Sequence, residues 1–598
     1  MTPAKPFWRL ARLPLAVGLA SSMAVPAHAV SFNIGEMEVQ LDSALSVGAS
    51  WSTAKRDRDL VGAANGGTGY TQTGDDGRLN FKRGETFSKI FKGNHDLELR
   101  YGDSGAFIRG KYWYDFELKD ESRLHKDISD SNRKEGAQSS GAQILDAFLY
   151  HNYSLGEQPG SIRFGRQVVS WGESTFISNG INSINPVDAA AFRRPGAEIK
   201  EALLPVNMIY LSQSLTDQLA MEAFYQLEWD QTIVDNCGTF FASDVLQDGC
   251  VGNYHVQQYP ATLAAALRSV GAQGSSEGVM VRRAADRDAR DSGQWGLALR
   301  WMGEETEYGA YAMNYHSRTP NISYINADRA TITNIATTAA SLPAAARQSF
   351  TSLALLGSGS YFLEYPEDIR LYGLSFSTSL PTGTAWQGEI SYRPNMPLQV
   401  NTTDTTGWLA AGIGASLAAG NVPAALAQAG REHQGYSRKE VTQAQTTFTH
   451  FVDQVMGAER VTLVGEIGMT RIGGLESHTE RRYGRDSIFG GYNDASAVAK
   501  HGQHGFYTRT SWGYRARAVW DYSNVIAGIN LSPNLTFSHD VDGYGPVFNE
   551  GSKAISVGLD ANYRNTYSAS LSYTNFFGGD YNVMTDRDFL ALSVGVNF

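Results

Sequence analysis

Apolar and polar residues alternate with a period of two along most of the chain. Between Met37 and Trp51, apolar residues occupy almost every odd position, and polar or small residues occupy the even ones. Successive side chains of a strand point to opposite faces, so the pattern predicts strands with one apolar and one polar face. The same alternation recurs in Leu219–Asp230 and in Trp512–Tyr522. Each stretch is long enough to cross a bilayer as a tilted strand, which takes about 9–11 residues.

The connections between these predicted strands are alternately short and long. The short turns are Gly102–Gly105, Leu215–Gln218, Gly303–Thr306, Pro381–Thr384, Met456–Glu459 and Arg564–Thr566. The long segments are Ser52–Ser88, Glu117–Gln143, Gln231–Ser292, Thr319–Asp368, Asn395–Lys439 and Arg471–Thr508. Outer-membrane barrels have short periplasmic turns and long extracellular loops. We therefore predict an all-β fold, a transmembrane antiparallel β-barrel of about 18 strands, with about 16 as the alternative. Ala-rich stretches at Ala327–Leu356 and Leu409–Ala429 predict short helices in two of the long loops.

The N-terminus has the features of a secretory signal peptide. Its basic, apolar and cleavage regions are, in order, Lys5 to Arg12, residues 13–25 and Ala27–Ala29. An uncleaved anchor is the alternative, but an anchor needs about 20 apolar residues. We predict a signal peptide over residues 1–29 and one barrel domain over residues 30–598, located in the outer membrane of a Gram-negative bacterium.

The C-terminus has the features of a final barrel strand. Apolar residues from Leu590 to Val596 alternate with small or polar ones, and the chain ends on Phe598. An aromatic C-terminal residue on such a strand resembles the signal that the barrel assembly machinery recognises. We therefore predict that Phe598 is an assembly signal and that this machinery is a partner, with outer-membrane lipids and lipopolysaccharide around the assembled barrel.

Composition agrees with this class and excludes others. The chain has 62 glycines and 29 tyrosines, which suit the turns and interfacial girdles of a barrel. Its net charge of −11 argues against a nucleic-acid partner. Cys237 and Cys250 are its only cysteines, and in an oxidising periplasm they predict a loop-closing disulfide rather than a metal site.

One long segment, Trp171–Pro205, lacks the period of two and is rich in Gly, Asn and Pro. A barrel of this size has a lumen that is either open to water or plugged. We predict that this segment folds inward as a constriction, with an ordinary extracellular loop as the alternative. The candidate constriction residues are Trp171, Glu173, Asp188, Arg193, Arg194, Glu198 and Lys200.

Charged residues of both signs fall on the predicted lumen face of the strands. They can tune selectivity, or they can form ion-pair networks that fill the barrel. The lumen-wall candidates that would pair with the inward segment are Arg109, Lys111, Glu222, Glu228, Asp230, Arg515 and Arg517. The sequence alone leaves both interpretations open.

Motifs for catalysis or metal binding are incomplete. His316 and Ser317 are adjacent, so on a strand they face opposite sides and cannot act as a base and nucleophile together. His501 and His504 would need further ligands to hold a metal ion. Asp540–Gly543 resembles only the start of a calcium loop. We predict no enzymatic activity, no metal and no cofactor.

Several motifs in order resemble one proteobacterial family. They include GRQVVSWGESTFISNGINSINPVD at Gly165–Asp188, RRPGAEIKEALLP at Arg193–Pro205, SYRPNMPLQV at Ser391–Val400, SWGYRARA at Ser511–Ala518 and TDRDFLALSVGVNF at Thr585–Phe598. Together they resemble the large outer-membrane proteins known as domain of unknown function thirteen-oh-two, over nearly the whole mature chain.

The resemblance implies a barrel but no established chemistry. Members are often encoded beside an exported accessory protein and a transporter of the resistance-nodulation-division superfamily, which become expected partners. This context implies a porin-like conduit, or a component, for envelope traffic of small and apolar or lipid-like molecules. The alternative is a plugged barrel that serves as a structural or assembly partner of an envelope export system.

Overall fold

The computed structural model describes residues 30–598, which form a closed barrel of 18 antiparallel strands. The predicted signal peptide lies outside the described residues. The barrel strands are β1 Met37–Ser52, β2 Thr86–Tyr101, β3 Ser104–Asp115, β4 Ser140–Leu155, β5 Gln158–Gln167, β6 Val206–Ser214, β7 Leu219–Gln226, β8 Gln294–Met302, β9 Thr306–Tyr315, β10 Ile369–Ser379, β11 Ala385–Gln399, β12 Tyr436–Asp453, β13 Arg460–Gly473, β14 Thr510–Ile526, β15 Ile529–Asp542, β16 Lys553–Tyr563, β17 Tyr567–Phe577 and β18 Phe589–Asn597.

Each strand pairs with its neighbours in sequence, and the last strand pairs with the first. Ser52 lies opposite Phe589 and Ala44 lies opposite Asn597, which closes the ring without a free edge. Phe598 then exchanges backbone hydrogen bonds with Ser43 at 2.6 and 2.8 Å. A short strand, Val30–Ile34, pairs with the start of β1 below this point. The role of Phe598 as an assembly signal stays a prediction.

The alternation in sequence becomes the two faces of the barrel wall. On β17 and β18, for example, Leu571, Leu592 and Val594 are exposed on the outer surface, where lipid covers them. Ser570 and Ser593 occupy the intervening, inward positions. No helix among the described residues is long and apolar enough to span a membrane.

The connections between strands alternate in length around the whole ring, as predicted. Those after odd-numbered strands are long loops, and those after even-numbered strands are short turns. All long loops therefore lie at one end of the barrel, and both ends of the described chain lie at the other.

Three long loops build a helical cap at the loop end. Two of these loops contribute the helices α1 Arg329–Ser341, α2 Ala344–Ser358, α3 Thr402–Ala418 and α4 Val422–Leu426, and the loop after β7 adds the short helix Ala264–Ser269. They pack on a four-stranded sheet of Arg282–Arg283, Ser360–Glu364, Asn321–Ile325 and Glu432–His433. A core that includes Ile332, Phe350 and Leu409 joins helices and sheet. The Ala-rich stretches thus form helices where the sequence predicts them.

A small sheet of the loop after β7 contains His255–Gln257, Gly274–Ser275 and Gly278–Met280. The short helices of the other loops are Asp76–Asn80, Phe116–Asp120, Ala189–Phe192, Ile199–Ala202 and Ala495–His501. Cys237 and Cys250 form a disulfide within the loop after β7, with their Cα atoms 6.1 Å apart.

The assignment of Glu228 and Asp230 to the barrel wall is wrong. β7 ends at Gln226, and both residues lie beyond it, at the base of the next loop. The alternation continues in sequence, but Trp229 is buried against Tyr365 and donates its indole N–H to the Ser317 carbonyl at 3.1 Å. This contact draws the chain out of the wall.

Candidate functional site

Residues 168–205, between β5 and β6, form a loop that we name the crossing loop. It includes the short helices Ala189–Phe192 and Ile199–Ala202. Irregular backbone at membrane depth must have its polar groups satisfied by protein or by water. In this loop, inward-facing side chains of the barrel wall supply many of those partners.

The first limb, residues 171–181, is held by two buried carboxylates of the wall. Glu389 on β11 accepts the backbone N–H groups of Glu173 at 2.6 Å and Ile181 at 2.9 Å. Glu466 on β13 accepts three consecutive N–H groups, which belong to Thr175 at 3.0 Å, Phe176 at 2.6 Å and Ile177 at 2.8 Å. These charge-assisted bonds fix the limb against β11–β13.

Two large buried side chains fix both ends of the first limb. Trp171 packs against Phe224 and donates its indole N–H to Glu222 at 2.6 Å. Arg393 on β11 is fully buried and donates to the Gly180 carbonyl at 2.6 Å. Trp171 is a predicted constriction residue, and the structure brings it to the predicted wall residue Glu222.

The second limb, residues 188–201, contacts the opposite side of the ring. Lys111 on β3 pairs with Asp188 at 3.0 Å, and both side chains are almost fully buried. Lys92 on β2 pairs with Glu201 at 2.8 Å. On β1, a methyl group at Gly48 would lie only 2.6 Å from the Cβ atom of Pro195, so the close approach of this limb requires glycine.

The other predicted pairs between loop and wall do not form. Arg193 pairs with Asp235, Arg194 stacks on Trp113 and donates to the Gly136 carbonyl at 2.6 Å, and Lys200 pairs with Glu198 inside the loop. Among the predicted wall residues, Arg109 pairs with Asp96 and Asp146, and Arg515 pairs with Asp540. Glu228 accepts a hydrogen bond from Asn207, and Asp230 pairs with Lys134. Arg517 is exposed on β14. Neighbouring strands and loops supply closer partners for these groups than the crossing loop does.

Five residues that hold the loop are absent from the predicted site: Lys92, Glu201, Glu389, Arg393 and Glu466. Glu389 and Glu466 do fall on the polar face of their strands, which is the available signal. Their role is hidden because their partners are backbone N–H groups, which every residue has. A search for opposite charges therefore cannot find them.

An open space borders one side of the second limb. A cavity of about 370 Å³ lies between Gly196–Glu198 of this limb and the inward faces of β15–β18, β1 and β2. The side chains on these faces include the small, polar ones of Ser532, Ser568, Ser570 and Ser593. Glu198 and Asp560 place carboxylates around the same space.

Glu173 is the titratable group of the first limb. Burial raises the pKa of Glu173 to about 7, and the carboxylates of Glu307 and Glu389 add to the shift, while Arg300 opposes it. The side chain therefore exchanges its proton near neutral pH.

One group of possible metal ligands among the described residues lies in the long loops. Asp76, His125 and Glu277 place ligand atoms within 4.8 Å of one another. The ammonium group of Lys126 lies 2.9 Å from Asp76 and 2.8 Å from Glu277. Lysine thus already supplies a cation to these carboxylates.

The ring closure and the internal loop define the class: this is an outer-membrane β-barrel whose interior is crossed by a loop. The chain belongs to the family described as "Protein of unknown function (DUF1302)", whose model matches residues 10–598. A search of curated proteins finds no match.

Solved outer-membrane proteins show a distant likeness. OccAB1 of Acinetobacter baumannii is 9% identical to this chain with a TM-score of 0.39, and the alignment covers 94% of this chain and 96% of OccAB1. The outer membrane protein opdK of Pseudomonas aeruginosa is 8% identical with a TM-score of 0.40, and covers 94% and 98%. The outer membrane channel DcaP of Acinetobacter baumannii is 8% identical with a TM-score of 0.34, and covers 95% and 100%. Likeness at this level says nothing about cargo.

Proposed function

We propose that this protein is a passive, porin-like conduit that carries small molecules across the outer membrane, and that it has no enzymatic activity. The observation that carries the proposal is the space between the second limb and β15–β18. The crossing loop is bonded to β7, to β11–β13 and to β1–β3, and we infer that the passage runs through the space beside β15–β18. Small serine side chains line the wall there, where bulky ones would close it.

The charge around the narrow passage favours neutral or cationic cargo. Glu198 and Asp560 are the charged groups that line it. Carboxylates that line a passage attract cations and repel anions at close range. The proposed conduit therefore prefers cations to anions of the same size.

The experiment is conductance of the purified protein in a planar bilayer. We expect single-channel steps in the wild type. Ser570→Trp should reduce them strongly because the indole enters the passage. The matched control is Leu571→Trp, since Leu571 is the next residue on β17 and faces lipid. Equal conductance of both variants would place the passage elsewhere.

The second candidate is a plugged barrel that acts in an envelope export system. The extensive bonds of the crossing loop favour it, because a loop held at both sides of the ring can act as a plug. Its partners would be the exported accessory protein and the transporter expected from the family resemblance. A wild-type protein without conductance, which co-purifies with those partners after crosslinking, would support this function and reject the conduit.

A further inference from the structure

A cavity of about 990 Å³ lies inside the helical cap. Its walls come from α1 and α2 on one side, from α3 on another, and from the loop after β7, which contributes Tyr254 and Val256. Thr71 of the loop after β1 and Ser487 of the loop after β13 complete it. The volume is in the range of small-molecule sites, which is about 300–1,000 Å³.

The topology places this cavity over the mouth of the barrel. Its residues belong to the loops that follow β1, β7, β9, β11 and β13. These strands are distributed around most of the ring, so their loops meet only above the opening. A molecule that approaches the barrel from the loop side therefore meets this cavity before the crossing loop. We name it the outer vestibule.

The faces of α1 and α3 that line the outer vestibule are mostly small and apolar. Ala336 and Ala339 of α1 face it, as do Ala410, Ala411 and Gly414 of α3. Because these side chains are short, the two helices leave a space between them instead of closing on each other. The volume of the outer vestibule therefore depends on the small residues that α1 and α3 carry on these faces.

Few groups in the outer vestibule could recognise a charge. Its one lining residue with a full charge, among the described residues, is Arg347. The guanidinium of Arg347 already donates to the carbonyls of Leu342 at 3.0 Å and Ala340 at 3.2 Å. The other polar groups of the lining are neutral hydroxyls and amides, such as those of Thr71, Gln348 and Ser352. They can exchange hydrogen bonds with an uncharged ligand.

We propose that the outer vestibule binds a small, uncharged, mainly apolar molecule that carries a hydrogen-bonding group, as a compact alcohol does. This inference deepens the proposed conduit, because it gives the class of cargo that is captured first. Binding itself does not require conduction, so the two proposals can fail separately.

The test uses a single reactive cysteine in the full-length protein. The native cysteines are joined to each other, so Ala411→Cys introduces one free thiol into the outer vestibule. Ala419→Cys, at the exposed end of α3, is the matched control outside the cavity. The measurement is the rate of modification by a maleimide, in purified protein, with 2-naphthol, 2-naphthalenesulfonate or glucose present.

We expect 2-naphthol to slow modification of the vestibule thiol roughly tenfold at about ten times its Kd, as site occupancy requires. The sulfonate and glucose should leave it almost unchanged, and the control thiol should react equally fast in all conditions. Adding Ala415→Phe, which fills the cavity from an exposed position of α3, should abolish the protection while the far-ultraviolet spectrum of the barrel is kept.

Three results would overturn the proposal. They are equal protection by 2-naphthalenesulfonate, equal protection of the control thiol, and no protection by any of the probes. Conductance is measured separately on the same preparation. Protection of the thiol without conductance would support the outer vestibule and reject the conduit. Conductance without protection would support the conduit and reject the outer vestibule.

Discussion

Glu173 lies where the first limb of the crossing loop passes Arg300 of β8 and Glu307 of β9. Burial and the neighbouring carboxylates raise its pKa to about 7, so the group is neutral in acid and negatively charged in base. A raised carboxyl pKa means that the folded state binds this proton more tightly than the unfolded chain. Its contribution to stability is therefore present at low pH and is lost as pH rises through about 7.

The first prediction concerns this titration. In the wild type, the free energy of unfolding should decrease between about pH 5 and about pH 8, as Glu173 gains its charge in the folded protein. Glu173→Gln should flatten that decrease. The measurement is the urea midpoint of the purified protein in detergent, followed by tryptophan fluorescence at each pH. Asp103→Asn, in a short turn, should retain the wild-type profile, and a retained profile in Glu173→Gln would assign the titration to another group.

The second prediction concerns the buried pair of Lys111 and Asp188. Removing one member of such a pair leaves an uncompensated charge and costs about 3–5 kcal/mol. Lys111→Met should therefore loosen the second limb, measured as faster proteolysis within residues 188–201. Asp188 also caps the helix Ala189–Phe192 by accepting the Ala191 N–H, and asparagine keeps that acceptor. Lys111→Met with Asp188→Asn should thus recover most of the protection, and equal sensitivity of the single and double variants would contradict the argument.

At the scale of elements, the crossing loop shows what sequence reasoning can and cannot reach. Loss of the period of two marks its limits at Trp171 and Pro205, within a few residues of the observed ones. The contacts that anchor the loop are harder to predict. Of the charge pairs that the sequence suggests between loop and wall, the structure contains only Lys111–Asp188. The wall holds the first limb through backbone N–H groups, and these leave no trace in the side-chain pattern.

The third prediction tests those anchors. Glu466 accepts three consecutive N–H groups, so Glu466→Ala should release Thr175–Ile177 from the wall. Their amides should exchange with deuterium at least about tenfold faster, which corresponds to roughly 1.4 kcal/mol of lost protection. Glu466→Gln keeps one acceptor oxygen and should show a smaller change. Unchanged exchange in Glu466→Ala would show that these bonds do not hold the limb.

At the scale of the whole molecule, the closure and the alternation of short and long loops follow from the sequence because lipid and strand direction impose them. The strand count follows only approximately, since the pattern is compatible with about 18 or about 16 strands. Each strand must present apolar side chains outward and must pair on both edges. The cap has no such constraint. Its helices are visible as Ala-rich stretches, but the convergence of distant loops on one cavity depends on contacts between residues such as Tyr254 and Thr406, which are far apart in sequence.

The fourth prediction concerns the orientation of the whole barrel. Both ends of the described chain lie on the short-turn side, which is periplasmic in outer-membrane barrels. Ala345, at the exposed start of α2, should then face the exterior, and Asp103, in the turn between β2 and β3, should face the periplasm. Because the native cysteines are paired, Ala345→Cys and Asp103→Cys each add one free thiol. A membrane-impermeant maleimide should label Ala345→Cys on intact cells and Asp103→Cys only after the outer membrane is permeabilised. The reverse pattern would place the helical cap and the outer vestibule in the periplasm, and the cavity would then meet cargo leaving the cell envelope rather than entering it.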